Sequence, residues 1–379
     1  MVQLIENPCA NSSKAMINIT LVGDLMFSRN VRETLDFLGK DAFFQRLAKA
    51  IPAGDLVVGN LETSISDVGH PIQDKDEHII FCAPPIVAGG LKVAGFNLLA
   101  LSNNHLGDYG GRAVAKTLCS LDKASLNYFG VSNGAIQQPY IYRVNGKKIA
   151  FLAYCTPLGP NILYGGKGDP GPIKFLKSGQ HSSFKQIEEV KKTVDFLFVF
   201  MHWGHEHVHY PPQDVVVLGR KIVDAGADCI VGTHPHFVQG IEKYKEKTIF
   251  YSLGNFVFSE PYEGSRWSIA VKFHIDEKLG QSYGVVPITI NDQGIPALAD
   301  AREASKIREE VDRISDTLSE EISREVVHVT KEKFKWAIRN IIYQKSFKHI
   351  DLFPWGIKPV LATEIVFMTL RDYLKRAIK

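Results

Sequence analysis

The chain has 379 residues, 45% hydrophobic and 22% charged, with a formal net charge of +3. That balance describes a globular protein with a sizeable core and sets aside disordered and fibrous classes. No concentrated basic stripe marks the motif-bearing part of the chain, so nucleic acid is not an expected partner. The five cysteines are widely spaced and lack a Cys-x-x-Cys pair, which argues against a zinc ribbon or a disulfide framework. Residues 1–16 form a polar N-terminal segment without the apolar stretch of a signal peptide. No run reaches the roughly 18 to 20 apolar residues that a membrane-spanning helix needs. These features lead to the expectation of a cytoplasmic protein, or an extracytoplasmic anchored one if a longer chain supplies the anchor.

In chain order, residues 17–24 read as a buried strand ending in Gly23-Asp24. Helical spacing follows over 28–38 and 42–50. A second strand over 55–59 runs into Asn60-Leu61-Glu62, and the polar stretch 66–83 reads as a loop over a site. A helix is predicted from Pro84 to Ala94, with proline near its start. The strand 97–101 ends in Ser102-Asn103-Asn104-His105, and 113–123 is helical. Asn145-Gly146 between two β-rich runs predicts a hairpin and therefore a mixed sheet. Residues 157–172, rich in glycine and proline, read as a loop, and Gly165-Gly166-Lys167-Gly168 lacks the phosphate-loop spacing. Helix over 184–194, strand over 196–201, helix over 215–225 and strand over 229–231 continue the alternation. The run 248–258 reads as one strand interrupted by Gly254-Asn255, and 267–275 and 283–290 read as further strands on an antiparallel edge. This alternation predicts a layered α/β domain over 17–300. Beyond it, 301–379 reads as a helical extension with stripes at Val311, Ile314, Leu318, Ile322 and at Phe334, Ile338, Ile341, Ile342. A helix is also expected over 361–378. The extension is expected to pack on the core or to form a homodimer contact.

The chemistry lies at the strand ends. Five apolar strands terminate in Asp24, Glu62, Asn104 with His105, His202, and His234-Pro235-His236. Rigid strands feeding exposed turns are suited to aiming ligands at one sheet edge. Singly, each has a plainer reading: Asp24 can cap the next helix, and Asn103 and Asn104 can be turn residues. Together they make the layout of a divalent-metal site. Two carboxylates, one amide and three imidazoles suit Zn, Fe or Mn better than Ca. His105 is placed to protonate a leaving oxygen or to bind an anionic transition state. His207 and His209 are expected to be bystanders.

Gly23-Asp24-Leu25-Met26, Gly59-Asn60-Leu61-Glu62, Ser102-Asn103-Asn104-His105, His202-Trp203-Gly204-x-Glu206, Gly232-x-His234-Pro235-His236 and Ser252-Leu253-Gly254-Asn255-Phe256 occur in this order. They resemble the bacterial capsule synthesis protein CapA family, which includes a component of poly-γ-glutamate synthesis. The resemblance implies a calcineurin-like metallophosphoesterase fold, a four-layer α/β/β/α sandwich of mixed sheets with metal at strand ends. It implies Asp24, Glu62, Asn104, His202, His234 and His236 as ligands, Glu62 as the bridge, and His105 as the catalytic histidine. Arg29, Asn60, Asn103, Glu206 and Asn255 are then expected to bind substrate or support the ligands. Related phosphoesterases carry a histidine where this chain has Met26, so one or two ions are expected. The implied function is capsule-related, with metal-dependent hydrolysis of a phosphoester or an anionic, polyglutamate-type substrate. Non-catalytic polymer binding and γ-glutamyl amide hydrolysis or transfer stand as alternatives.

Overall fold

Strands such as Phe196–His202 are apolar on both faces, and both faces are covered. Phe196, Phe198 and Phe200 point one way, and Leu197, Val199 and Met201 the other. The computed structural model describes residues 16–72, 75, 79–134, 136–158, 162–166, 168–179 and 181–319. Two large sheets pack face to face. The first has the order Pro296–Leu298, Gln281–Ile290, Trp267–Ile275, Ile17–Leu25, Leu56–Leu61, Leu98–Ala100, Asn127–Phe129. Asn255–Val257 also pairs with Ile17–Leu25, in parallel. The second runs Ile241–Tyr244, Lys247–Phe250, Cys229–Thr233, Phe196–His202, Lys147–Cys155, Tyr140–Val144.

Three apolar layers hold the sandwich. Leu21, Val58 and Leu98 of the first sheet meet Phe151, Phe198 and Val231 of the second between the sheets. On the first sheet's outer face, Val22, Val57 and Leu99 pack with Leu35, Phe44, Leu91 and Val114 of the helices Arg29–Leu38, Lys40–Ala50, Ile86–Ala94 and Gly110–Lys123. Leu197, Val199 and Ile230 face Ile187, Leu218 and Ile222 of helices Ser183–Lys191 and Gln213–Asp224 on the other outer face. The result is the expected four-layer α/β/β/α sandwich. The predicted hairpin is present, with Tyr140–Val144 antiparallel to Lys147–Cys155.

One expectation is corrected. The run 248–258 is two strands in two sheets: Lys247–Phe250 lies in the second and Asn255–Val257 in the first. Residues 251–254 cross between them at the strand ends. There, Leu253 N–H donates to the Gly232 carbonyl, and Asp24 N–H donates to the Gly254 carbonyl. The crossing works only because Gly23 and Gly232 lack side chains. A Cβ at Gly23 would lie 1.8 Å from the Gly254 carbonyl oxygen, and one at Gly232 would lie 2.0 Å from that of Tyr251.

Helix Ala301–Ser319 buries Ile307, Val311, Ile314 and Leu318, and it contacts the strands Gln281–Ile290 and Ile241–Tyr244. Ile322, the second stripe and the predicted helix 361–378 lie outside the described residues, as does Lys167. Among the described residues, no helix is long and apolar enough to cross a membrane.

Candidate metal centre

The parallel strands of both sheets end on the same side, and their last side chains meet there. Asp24 closes Ile17–Leu25 at a bulge and is fully buried. Its Oδ1 accepts from Asn60 Nδ2 at 2.8 Å and its Oδ2 accepts from the His234 N–H at 3.1 Å. It therefore joins the two sheets and does not cap the next helix, whose N-cap is Ser28.

Glu62 follows Leu56–Leu61 and is also fully buried. Its Oε1 lies 3.4 Å from His202 Nε2, 3.9 Å from His105 Nε2 and 3.9 Å from His236 Nε2. Neither carboxylate oxygen has a hydrogen-bond partner, and His234 Nδ1 is likewise buried without one. Leaving such groups unsatisfied costs about 1–3 kcal/mol each, more if charged. These orphaned donors fit a cation.

The imidazoles come from the second sheet. His202 ends its strand; its Nε2 lies 2.7 Å from Asn104 Oδ1 and its Nδ1 lies 3.0 Å from Thr233 Oγ1. His234 and His236 occupy φ 97 and φ 59. Such backbone costs roughly 1–3 kcal/mol per residue and clusters at functional sites. His236 Nδ1 lies 2.8 Å from Asn255 Oδ1. Candidate ligand atoms group as Asp24, Glu62, His202 and as Glu62, His234, His236, within 4.8 Å in each group. Glu62 is common to both.

Electrostatics agree with the need for positive charge. Burial, reinforced by nearby Glu62, pushes the Asp24 carboxyl up to about 7. Burial pushes Glu62 up to about 8, against the pull of His236. Burial lowers His202 to about 3 and His234 well below the ordinary histidine range. At His236 burial acts downward, but Glu260, Glu62 and Asp24 outweigh it and raise the group to about 10.

The remaining predicted residues ring this cluster. Asn103 Oδ1 accepts from the N–H groups of His105 and Leu106, and its Nδ2 donates to the Leu61 carbonyl at 2.8 Å. It shapes the turn that presents Asn104 and His105. Arg29, at φ 53, lays its guanidinium 5.0 Å from the centre of Phe81, which stacks on His105 at 4.1 Å. Glu206 is half-buried, and its charge raises Glu62. Met26 is buried, and its sulfur accepts from the Ser28 N–H at 3.0 Å.

Four residues were missed by sequence reasoning. Asp108 is fully buried and accepts from His105 Nδ1 at 2.8 Å. A carboxylate three residues after the histidine was a signal available in the sequence. Lys75, from the polar loop, pairs with Asp108 and donates to the Asn104 carbonyl at 3.1 Å; nothing in its neighbourhood marks it. Burial, despite the pull of Asp108, lowers His105 to about 4. Glu260 pairs with His207 Nε2 at 3.1 Å. Burial opposes its ionisation, yet His236 and His207 draw it down to about 2. Thr233, the fourth, places its Oγ1 3.0 Å from His202 Nδ1. His207, expected to be a bystander, borders the cluster with its ring 5.9 Å from that of His236. His209 instead faces Glu310 at 3.6 Å.

An α/β sandwich that converges carboxylates, amides and imidazoles on one edge defines a protein with a candidate divalent-metal centre. The chain belongs to the bacterial capsule synthesis protein PGA_cap family, whose profile matches residues 18–260. It is 29% identical over 311 residues to the capsule biosynthesis protein CapA of Bacillus anthracis, covering 79% of this chain and 74% of that one. It is 32% identical over 284 residues to the PGA biosynthesis protein CapA of Bacillus subtilis (strain 168), covering 74% and 73%. Among solved structures, the NAD nucleotidase NadN of Haemophilus influenzae aligns with a TM-score of 0.40 and 13% identity, over 83% of this chain and 68% of that one.

Proposed function

We propose that the protein is a divalent-metal-dependent hydrolase of capsule polymer biosynthesis, acting on an anionic substrate, a phosphoester first. The observation that carries this reading is Glu62: a fully buried carboxylate with neither oxygen hydrogen-bonded, facing three imidazole edges. Asp24, Glu62, Asn104, His202, His234 and His236 would hold the metal, with Glu62 serving both ligand groups. Mixed nitrogen and oxygen donors suit Mn, Fe or Zn. A bound divalent ion lowers the pKa of water and polarises a phosphoryl or carbonyl oxygen.

The chain's own residues supply the rest. His105 Nδ1–H donates to Asp108, which fixes the ring and leaves Nε2 facing the cluster. Nε2 is thereby placed to take a proton from water and hand it on to a leaving oxygen, and Asp108 stabilises the imidazolium that exists between the two transfers. Lys75 holds Asp108 and the Asn104 carbonyl in register. Phe81 and Phe258 wall the cluster beside His105 and His236 and limit water around it. Arg29 stands at this wall with a guanidinium suited to phosphate or carboxylate. The Bacillus relatives named for capsule and PGA biosynthesis support the biological setting.

The test is a hydrolysis screen with Mn²⁺, Fe²⁺ or Zn²⁺, using phosphomonoesters, phosphodiesters and a γ-linked glutamate polymer. Metal-dependent phosphoester turnover that is lost in Asp24→Ala is the expected result. Glutamate release without phosphoester turnover would move the chemistry to amide hydrolysis. Polymer binding that survives chelation, with no turnover of either substrate, would replace the enzyme by a binding component.

A further inference from the structure

His236 can serve a metal through Nε2 only if its proton sits on Nδ1, and the surroundings decide which nitrogen carries it. Two acceptors face Nδ1: Asn255 Oδ1 at 2.8 Å and Asp24 Oδ2 at 3.6 Å. Asn255, however, could present either end of its amide, and an NH₂ group there would demand the opposite tautomer. What fixes the amide lies one residue further out. Asn255 Nδ2 points at Glu260 Oε2 at 3.4 Å and at the Ser265 carbonyl at 3.5 Å. Both are acceptors, so the NH₂ end must face them and the oxygen must face His236.

We infer that Glu260 is a positioning residue for the metal centre: through Asn255 it sets the His236 tautomer that presents the Nε2 lone pair toward Glu62. Glu260 is itself held. His207 Nε2 lies 3.1 Å from its other oxygen, and the His207 N–H donates to the Pro235 carbonyl at 2.8 Å, between the two cluster histidines. The line His207, Glu260, Asn255, His236 thus begins at a residue anchored to the 234–236 turn and ends on that turn. The side chain of Glu260 is 10% exposed and Asn255 is fully buried, so the line is shielded from competing water. Outer-shell partners of this kind typically contribute 10–100-fold to metal affinity.

This inference rests on the metal reading above. The experiment titrates the full-length protein with Mn²⁺ or Zn²⁺ alone against a competing chelator. Glu260→Ala and Asn255→Ala should each weaken affinity about 10–100-fold, while Glu260→Gln, which keeps an acceptor for Asn255, should stay close to the parent. The decisive comparison is the double variant. Because Glu260 acts through Asn255, Glu260→Ala should cost nothing further once Asn255→Ala is present. Losses that add would mean that Glu260 acts by its own charge and would overturn the inference, as would unchanged affinity in Glu260→Ala. Metal absent from the parent protein would overturn the metal reading and this inference together.

Discussion

The two sheets contribute differently to the cluster. The first supplies oxygens and amides, namely Asp24, Asn60, Glu62 and the Asn103–Asn104–His105 turn. The second supplies three imidazoles, His202, His234 and His236. The oxygen side buries carboxyl groups without enough protein donors, which is why Glu62 is left with bare oxygens. The imidazole side is strained at His234 and His236, and it is aimed from outside by Asn255 and Thr233. Neither half is satisfied alone. The contrast teaches that the charge missing between the sheets is positive and compact, which is what a divalent cation supplies.

The sharpest way to break the contrast is to remove one ligand from each half. Asp24→Ala with His236→Ala should abolish metal retention and turnover, measured by elemental analysis and a phosphoester assay. Next comes the seam itself. Gly232→Ala would drive a Cβ into the Tyr251 carbonyl at 2.0 Å and the Trp203 indole nitrogen at 2.7 Å. It should destabilise the protein by about 3 kcal/mol or more, since overpacking typically costs 1–3 kcal/mol and this contact is with backbone; thermal unfolding reads it. A comparable loss follows on the oxygen side from Lys75→Met, which leaves Asp108 buried without its cationic partner. Breaking a buried pair costs about 3–5 kcal/mol, and turnover should fall with it, whereas Lys75→Arg should recover part of both. Asp108→Asn should lower kcat by about 10²-fold or more with metal content intact, in keeping with the size of general acid–base contributions. The smallest effect is reserved for Met26→Leu. Its sulfur is engaged by the Ser28 N–H. Stability should change by less than about 1.5 kcal/mol, and metal content should not change.

Much of this was legible in the sequence, for a physical reason. A strand covered on both faces is an unbroken apolar run, so the Asp, Asn, Glu and His residues that follow it mark the strand end. Asp24, Glu62, Asn104, His202, His234 and His236 were readable on that basis. The run 248–258 misled for the same reason. It is mostly apolar, and the change of sheet at Gly254 is set by contacts with Gly23 and Gly232 elsewhere in the chain. Lys75 and Glu260 escaped because they sit in loops, where charged residues are common and only tertiary approach gives them partners. Asp108 was nearer to view, three residues from His105, but its burial depends on Lys75 and the Phe81 N–H. His207 was expected to be a bystander, and it is drawn inward by tertiary contacts with Glu260 and the Pro235 carbonyl.

The most direct test of the account is elemental analysis of the purified full-length protein after reconstitution with Mn²⁺, Fe²⁺ or Zn²⁺, beside Glu62→Gln. The account predicts one or two ions per chain in the parent and a clear loss in the variant, because Glu62 faces both groups of ligands. A parent protein that retains no ion, or a variant that retains as much as the parent, would contradict it.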